Sequence, residues 1–330
     1  MKILIIGGSR FMGYYATQHA RARGHEVTLF NRGKTNPDTI PGVEQLVGDR
    51  DADIDLLKDR QWDSVLDTCG YFPRVVKKSV DLLKDDVGHY TFISSISVYS
   101  TSPNGPDETS PAQTLADPTV EEITGETYGG LKILCERVVQ EGLPDHALIV
   151  RPGLIVGPRD PTYRFNYWVN RIARGGETLV PATPDRPIQF IDARDVGEWI
   201  VRQMEAQAIG TFNATGPAKP LTMGAFVEAC QKHIGSDSRF RWVNEAFLGE
   251  QNVAMWEHIP LCMPEEDRYF NSARIDRALQ AGLTFRAFGE TLDGARAWMA
   301  DHPEAANPQA TLTAEKEKTV LEAWHAASAT

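Results

Sequence analysis

The chain has 330 residues, of which 42% are hydrophobic and 24% are charged, and its formal net charge is −11. This ordinary globular composition argues against disorder, and no apolar run reaches the roughly 20 residues that a membrane-spanning helix needs. The acidic excess argues against nucleic acid as a non-specific partner, because phosphate binding needs clustered lysine and arginine. The sequence starts directly with a strand pattern and shows no signal-peptide pattern, so we expect a cytoplasmic protein.

The cysteines and histidines show no metal-binding pattern. Cys69, Cys135, Cys230 and Cys262 lie far apart, without a Cys-x-x-Cys pair or a zinc spacing. The eight histidines are equally scattered. We therefore expect reduced cysteines and no metal site.

Strand and helix patterns alternate through the first half of the chain. Helical patterns fall at residues 12–23, at residues 73–84 and directly before the last of the predicted strands. The predicted strands are KILIIG, EVTLFN, EQLVGD, DSVLDTCG, HYTFISS and ALIVRP. Apolar strands separated by helices indicate a parallel sheet covered on both faces, so the predicted fold class is α/β with a doubly wound parallel sheet. Such folds bind ligands beyond the carboxyl ends of their strands.

A glycine-rich loop, GGSRFMG, joins the first strand to the first helix. Such a loop lets backbone N–H groups approach a pyrophosphate, and the helix N-terminus adds a favourable field. We predict a dinucleotide site in which Gly7 takes the tight turn and Gly13 lets the helix pack closely on the strand. The predicted cofactor contacts of this loop are Gly7, Ser9, Arg10, Phe11, Met12 and Gly13.

The second strand ends in FNRGKT, at the place where NAD-binding proteins usually present Asp or Glu to the ribose 2′-hydroxyl. Asn31 occupies that place, and Arg32 and Lys34 follow it. An arginine pairs with a 2′-phosphate that a carboxylate would repel, and Arg10 can project to the same side. The pattern favours NADP over NAD. Arginines that merely face solvent remain the alternative.

The third and fourth strands end in polar residues. Asp49, in LVGDRD, either reaches the adenine edge of the cofactor or initiates a turn, and both interpretations stay open. The fourth strand ends in DTCGY, where we expect the chain to pass the phosphates and ribose of the cofactor. Thr68, Cys69 and Gly70 are therefore predicted cofactor contacts.

Tyr128 and Lys132 lie four residues apart in ETYGGLKILCERVV, a spacing that puts both on one face of a helix. A neighbouring ammonium lowers the pKa of a tyrosine, so Tyr128 is a predicted acid or base at a hydroxyl group. Ser95, which ends a buried strand, is predicted to hydrogen-bond the reacting oxygen. Gly129 and Gly130 weaken the helix, which indicates the close approach of either a ligand or a packed element.

The pattern loosens after RPGLIVGPRDP, with a boundary near residue 155. Residues 1–155 are the predicted dinucleotide-binding domain. Residues 156–330 are predicted to form mainly a substrate-binding lobe, with returns to the sheet and a C-terminal helix. That helix, in TLTAEKEKTVLEAWHAA, has Thr313 as its expected N-cap and Val320, Leu321 and Trp324 on its apolar side.

Taken in order, the glycine loop, FISSISVYS, YGGLK and RPGLIVGPRDP resemble the short-chain dehydrogenase/reductase superfamily. The length and the second lobe resemble its extended branch, the NAD(P)-dependent sugar-nucleotide epimerases and dehydratases. The resemblance covers roughly residues 1–300. It implies that Ser95, Tyr128 and Lys132 are the catalytic residues.

The segment RPGLIVGP resembles the part of these enzymes that runs beside the nicotinamide, which implies cofactor contacts at Pro152, Gly153 and Ile155. Two features depart from the pattern. The loop GGSRFMG lacks the middle glycine and resembles an atypical subgroup that includes chloroplast stem-loop RNA-binding proteins, and the C-terminal helix lies outside the usual pattern.

The expected function is hydride transfer at a hydroxyl-bearing carbon, in a sugar nucleotide or a related small molecule. Epimerisation and simple reduction both remain open, and dehydration ranks lower because ISVYS follows Ser95 instead of an Asp-Glu pair. The alternatives are an NADPH-dependent carbonyl reductase and a non-catalytic relative that binds a dinucleotide or RNA. A homodimer is one assembly that we consider. The candidate substrate contacts are Ser97, Arg164 and Arg186.

Overall fold

The computed structural model describes residues 1–34, 40–100, 105–303 and 311–328, and its chain divides into two compact units. The first unit comprises Met1–Ile155, Ala193–Thr215 and Ala273–Thr284. The second unit comprises Val156–Asp192, Gly216–Ser272 and Phe285–Thr330.

The strands are numbered in chain order. They are β1 (Lys2–Ile6), β2 (Glu26–Asn31), β3 (Glu44–Val47), β4 (Ser64–Asp67), β5 (Tyr90–Ile93), β6 (Ala147–Pro152), β7 (Ile155–Val156), β8 (Glu177–Pro181), β9 (Pro187–Ile188), β10 (Ile191–Asp192), β11 (Gly210–Ala214), β12 (Leu221–Thr222) and β13 (Arg239–Val243).

The helices are numbered in the same way. They are α1 (Phe11–Ala22), α2 (Pro73–Leu83), α3 (Tyr128–Gly142), α4 (Arg164–Ala173), α5 (Ala193–Glu205), α6 (Met223–Ile234), α7 (Glu245–Glu250), α8 (Asp276–Gln280), α9 (Phe288–Asp301) and α10 (Ala314–Ser328). Short 3₁₀ helices lie at Ile54–Leu57, Ile96–Val98 and Glu265–Ser272.

A seven-stranded parallel sheet forms the centre of the first unit. Its strand order is β11-β6-β5-β4-β1-β2-β3, so the chain crosses over between β3 and β4. In the register of the central strands, Ile5 pairs with Leu29 on one side and with Leu66 on the other. The predicted doubly wound parallel sheet is confirmed. In such a sheet, the change of direction between β1 and β4 is where a ligand crevice is expected.

Helices pack on this sheet because their apolar residues recur on one side. In α2, Val76, Val80 and Leu83 are buried, and Pro73 supplies a favourable first helical residue. The helix α2 packs against α3, and α1 packs against α5. At the second contact, a Cβ on Gly197 would lie 2.9 Å from the backbone nitrogen of Ala16, so glycine permits the close approach of the two helices.

The second unit has an aromatic core of its own. Phe165, Phe190, Phe226 and Phe288 form a cluster with ring centroids 5.5–6.3 Å apart. The strands β8 and β13 pair in parallel in this unit. Within the described residues, no helix is both long and apolar enough to cross a membrane.

The predicted C-terminal helix is present as α10. The backbone N–H of Lys316 donates to Thr313 Oγ1 at 3.2 Å, and Val320 and Leu321 are buried. The third predicted apolar residue, Trp324, lies edge-on to Phe247 with the ring centroids 4.9 Å apart. The helix therefore belongs to the fold of the second unit.

Candidate functional site

The loop from β1 to α1 turns through two glycines with left-handed backbone angles. Gly7 has φ +99° and Gly8 has φ +74°. A Cβ on Gly8 would lie 2.7 Å from the side chains of Ile5 and Leu29, and one on Gly13 would lie 3.0 Å from the Cα of Gly8. Glycine is therefore needed both for the turn and for the approach of α1. Gly8 was not among the predicted contacts, although the doubled glycine was a visible signal.

A cavity of about 420 Å³ opens beside this loop, next to the carboxyl ends of β1, β2 and β4. Its volume falls in the range of ligand-binding clefts. The predicted cofactor residues that line it are Gly7, Ser9, Arg10, Asn31, Arg32, Lys34, Asp49, Thr68 and Cys69. The lining residues that were not predicted are Ile6, Gly8, Phe30, Gly33, Gly48, Arg50, Asp51, Tyr71, Phe72 and Val75.

Seven predicted cofactor residues lie outside this lining. Phe11 and Met12 begin α1 behind the loop, and Phe11 has a left-handed φ of +48°. The remaining five are Gly13, Gly70, Pro152, Gly153 and Ile155. A Cβ on Gly153 would lie 2.6 Å from the Cβ of Thr215, so this glycine lets β6 and the end of β11 approach closely.

Asn31 organises the end of β2. Its amide Nδ2 donates to the carbonyl oxygen of Gly7 at 3.0 Å, and its Oδ1 accepts from the backbone N–H of Gly33 at 2.9 Å and from Gln45 Nε2 at 3.0 Å. The nitrogen and the oxygen of the Asn31 amide are thus both hydrogen-bonded within the protein. Arg32 and Lys34 follow with exposed side chains on the cavity.

Asp49 initiates a turn and also lines the cavity. Its Oδ1 accepts from the backbone N–H of Asp51 at 2.9 Å. The carboxylate of Asp51 is in turn bound by Arg74 at 2.7 Å and by Lys78 at 2.6 Å, and these hydrogen bonds hold the pKa of Asp51 well below its usual range. The negative charge of Asp51 is therefore compensated at this edge of the cavity.

A buried ion pair lies under the cavity. Arg50 donates to Asp67 Oδ1 at 2.7 Å and to Oδ2 at 2.8 Å, and the hydroxyl of Tyr90 donates to Oδ2 at 3.0 Å. The Asp67 side chain is fully buried, and 10% of the Arg50 side chain is exposed. Burial disfavours the Asp67 carboxylate, but Arg50 outweighs this and lowers its pKa. The pair fixes the end of β4 beside the glycine loop.

Ser95 and Tyr128 meet beyond the carboxyl end of β5. Burial raises the pKa of Tyr128, and the nearby side chain of Ser95 opposes this rise. The Ser95 hydroxyl also donates to Ser97 Oγ at 3.0 Å. The predicted lowering of the Tyr128 pKa is wrong, because the effect of burial exceeds the favourable contacts of the phenol. The structure thus favours a protonated phenol at neutral pH.

Lys132 lies one helical turn after Tyr128 and is buried. Its Nζ donates to the carbonyl oxygens of Gly70 and Ile93, each at 2.6 Å. Burial lowers the pKa of Lys132 to about 8, and the charges of Asp67 and Glu136 are among those that oppose this. The lysine therefore ties α3 to the ends of β4 and β5.

Replacing Lys132 with methionine is expected to change how stability depends on pH. The pKa of the folded wild type is about 8, whereas an exposed lysine has a pKa of about 10.4. Between these values the unfolded chain binds more protons, so wild-type stability rises relative to the variant by up to about 1.4 kcal/mol per pH unit. Urea unfolding from pH 7 to pH 10 measures this, with Lys84→Met, at an exposed position, as the control. Parallel curves for wild type and variant would contradict the assignment.

The two glycines after Tyr128 are explained by packing. A Cβ on Gly129 would collide with the carbonyl oxygen of Ser97 and lie 2.7 Å from Gln113 Oε1, and one on Gly130 would lie 2.6 Å from Leu115 Cδ2. Of the two predicted causes, a packed element is therefore the correct one. The contacts come from the chain that leads into α3.

The candidate substrate contacts of the second unit differ in their surroundings. The guanidinium of Arg164 lies over the ring of Trp256 at 4.5 Å, and burial lowers its pKa while Asp160 opposes this. Arg186 is buried, with ion pairs to Glu265 at 2.9 Å and to Glu245 at 3.6 Å. Arg186 is thus already held by carboxylates.

Comparison with known proteins decides the family. A family model described as the NAD dependent epimerase/dehydratase family matches residues 3–214, from β1 to the end of β11. The chain belongs to this family. The resemblance drawn from the motifs is therefore confirmed. Membership of this family identifies the chain as an NAD(P)-dependent enzyme. Within the described residues, no group of three or more His, Cys, Asp or Glu side chains is arranged to hold a metal ion.

Two solved structures share the fold of this family member. UDP-glucuronic acid 4-epimerase from Bacillus cereus in complex with NAD has a TM-score of 0.65 and 16% identity, covering 92% of this chain and 99% of that one. UDP-N-acetylglucosamine 4-epimerase from Methanobrevibacter ruminantium in complex with UDP-N-acetylmuramic acid has a TM-score of 0.68 and 18% identity, covering 91% and 98%.

A short match connects the chain to a plant protein. It is 45% identical over 53 residues to chloroplast stem-loop binding protein of 41 kDa b from Arabidopsis thaliana. The match spans 16% of this chain and 13% of the length of that relative.

Proposed function

We propose that this chain transfers a hydride between a nicotinamide cofactor and a hydroxyl-bearing carbon of a sugar nucleotide, with Ser95, Tyr128 and Lys132 as its catalytic residues. The observation that carries the proposal is that the side chain of Ser95 acts on the phenol of Tyr128, with Lys132 one helical turn away. The group lies at the carboxyl ends of the strands, where open α/β sheets bind ligands. Epimerisation and reduction both use this arrangement.

When bound, the cofactor supplies the hydride donor or acceptor. Ser95 and Tyr128 present two hydroxyl groups to the oxygen on the reacting carbon, and the protonated Tyr128 donates its proton when that oxygen gains electrons. In the reverse direction the phenolate accepts the proton of the hydroxyl group. The ammonium of Lys132 stabilises the phenolate that forms.

The residues on the cavity fit a phosphorylated dinucleotide. Three exposed cations, Arg10, Arg32 and Lys34, line it, and Asp51 is already compensated by Arg74 and Lys78. Arg32 and Lys34 follow β2, the position that meets the adenosine ribose in this fold. Burial raises the pKa of Tyr71 to about 12, and among the smaller electrostatic effects Tyr128 raises it and Arg10 lowers it, so both act on the same phenol. We infer that Arg32 selects NADP and that Arg10 lies toward the catalytic group.

Replacing Arg32 with aspartate is therefore expected to weaken NADPH at least tenfold and to spare NADH. Charge-assisted hydrogen bonds contribute about 1.5 to 3 kcal/mol, and about 1.4 kcal/mol corresponds to tenfold in affinity. Calorimetric titration with NADPH, NADH and 2′,5′-ADP measures this. The control is Arg137→Asp, at an exposed arginine of α3 outside the cavity lining.

Arg10→Gln provides the complementary arm of this titration. It is expected to weaken NADPH and NADH by the same factor and to leave 2′,5′-ADP, which lacks the nicotinamide end, unchanged. A loss restricted to NADPH would instead place Arg10 on the 2′-phosphate. Tighter binding of NADH than NADPH by the wild type would contradict the proposed preference for NADP.

The sugar-nucleotide substrate is supported by the two epimerases that share the fold. In the second unit we propose Arg164 for a substrate phosphate, because its partly buried guanidinium rests on Trp256, whereas Arg186 is paired with Glu245 and Glu265. A panel of UDP-sugars and simple ketones, followed by product chromatography and nicotinamide absorbance, tests the substrate class. Turnover of ketones alone would support a carbonyl reductase. RNA retardation without any turnover would support the binding-protein alternative.

A further inference from the structure

Tyr71 differs from the other cavity residues because its large aromatic side chain is 41% exposed. It follows Gly70, where a Cβ would lie 2.5 Å from Phe92 and 2.7 Å from Val76. This part of the backbone is therefore held directly against the core. The carbonyl oxygen of Gly70 also accepts a hydrogen bond from Lys132 Nζ, so the position of Tyr71 is fixed relative to that lysine.

The ring of Tyr71 covers the ammonium of Lys132. The Nζ atom lies 5.3 Å from the centroid of this ring and 4.3 Å from the centroid of the Phe92 ring. The carbonyl oxygens of Gly70 and Ile93 accept two of its hydrogen bonds. The direct neighbours of the cation are thus two carbonyl groups and two aromatic faces, and none of them is charged.

Four further titratable groups act on Lys132 through their charges. Asp67 and Cys69 act from the end of β4, and Cys135 and Glu136 act from α3. Their combined effect does not offset burial, which lowers the pKa of Lys132 to about 8. The charge of the ammonium at neutral pH therefore depends on small contributions from its immediate contacts.

We propose that Tyr71 is a positioning residue that holds the positive charge on Lys132 by covering the ammonium with the face of its ring. Aromatic faces attract cations, and the attraction is stronger where the cation is removed from water. Phe92 does the same from the interior, but it is a fully buried core residue. That the ammonium of Lys132 stabilises the phenolate of Tyr128 rests on the proposed function. The charge on Lys132 itself does not depend on that function.

The test compares Tyr71→Phe, which keeps the ring, with Tyr71→Leu, which keeps apolar bulk and removes the ring. The wild type and each variant are also prepared with the additional change Lys132→Met. Urea unfolding from pH 6 to pH 10 gives the difference in stability between the proteins with and without Lys132. The pH at which this difference changes is the pH at which Lys132 titrates. The expected midpoint for Tyr71→Leu lies about half to one pH unit below the wild type. The expected midpoint for Tyr71→Phe equals that of the wild type.

An unchanged or raised midpoint in Tyr71→Leu would overturn the proposal, and so would an equal fall in Tyr71→Phe, which would assign the effect to the hydroxyl group. Tyr71→Met replaces the leucine variant if that one does not fold. NADPH titration at pH 7 is a separate measurement on the same proteins, and it shows whether the chain binds the cofactor. Failure of every protein to bind NADPH would refute the proposed function, while the unfolding experiment would still decide the role of Tyr71.

Discussion

The Tyr128→Phe variant is expected to lower kcat by about 10²- to 10⁴-fold while its affinity for the cofactor stays within a few-fold of the wild type. The phenol is the group that moves a proton in the proposed reaction, and the side chain of Ser95 acts on its pKa. Phenylalanine keeps the ring and removes only this hydroxyl. Steady-state kinetics on the true substrate, together with calorimetric titration of the cofactor, separate the two effects.

Tyr14→Phe is the control for this experiment, because Tyr14 is a partly buried tyrosine of α1 outside the cavity lining. It is expected to leave kcat near the wild-type value. Turnover by Tyr128→Phe close to that of the wild type would show that another group handles the proton. Loss of cofactor binding in Tyr128→Phe would show that its role is structural.

Asp67→Ala is expected to destabilise the fold by about 3–5 kcal/mol, the usual cost of breaking a buried ion pair by removing one partner. The change leaves the Arg50 cation and the hydroxyl of Tyr90 without their acceptor beneath the cavity. Urea unfolding at pH 7 measures the loss. We expect the effect to reach function as well, because the pair ties the segment after β3 to the end of β4, where Thr68 Oγ1 accepts from the backbone N–H of Gly8.

A double variant, Arg50→Met with Asp67→Leu, is the matched control for this prediction. Removing both charges avoids an uncompensated cation, so the double variant is expected to be more stable than Asp67→Ala. If Asp67→Ala unfolds at the same urea concentration as the wild type, the buried pair contributes nothing to the fold. A double variant as unstable as the single one would assign the loss to packing and not to charge.

The parallel sheet was predictable because its information is local. Each central strand is an apolar run between turn residues, and the glycine loop carries its own conformational requirement at Gly7. The cavity beside the glycine loop follows from the same rule, since parallel strands end at one edge of the sheet. Long-range partners were not predictable in this way. The sequence neighbours of Arg50 gave no sign that it pairs with Asp67 at the end of β4.

The residues of the proposed catalytic group were chosen from the sequence, whereas their electrostatics were not predictable from it. Spacing alone placed Tyr128 and Lys132 on one face of a helix, and it could not show that burial raises the pKa of the first and lowers that of the second. Tyr71 escaped prediction for a similar reason. Its ring meets Lys132 only because β4 and α3 bring their ends together.

The most direct test of the central claim is the change in nicotinamide absorbance when the cofactor-loaded wild type is mixed with the panel of sugar nucleotides. With the oxidised cofactor bound, hydride transfer from a sugar nucleotide predicts a reduced nicotinamide signal with at least one of them, lasting for oxidation and transient for epimerisation, and no comparable signal with Tyr128→Phe under the same conditions. A wild-type protein that binds the cofactor but gives neither a transient nor a lasting signal with any sugar nucleotide, and no oxidation of NADPH or NADH by any ketone, while retarding RNA in a gel, would contradict the account.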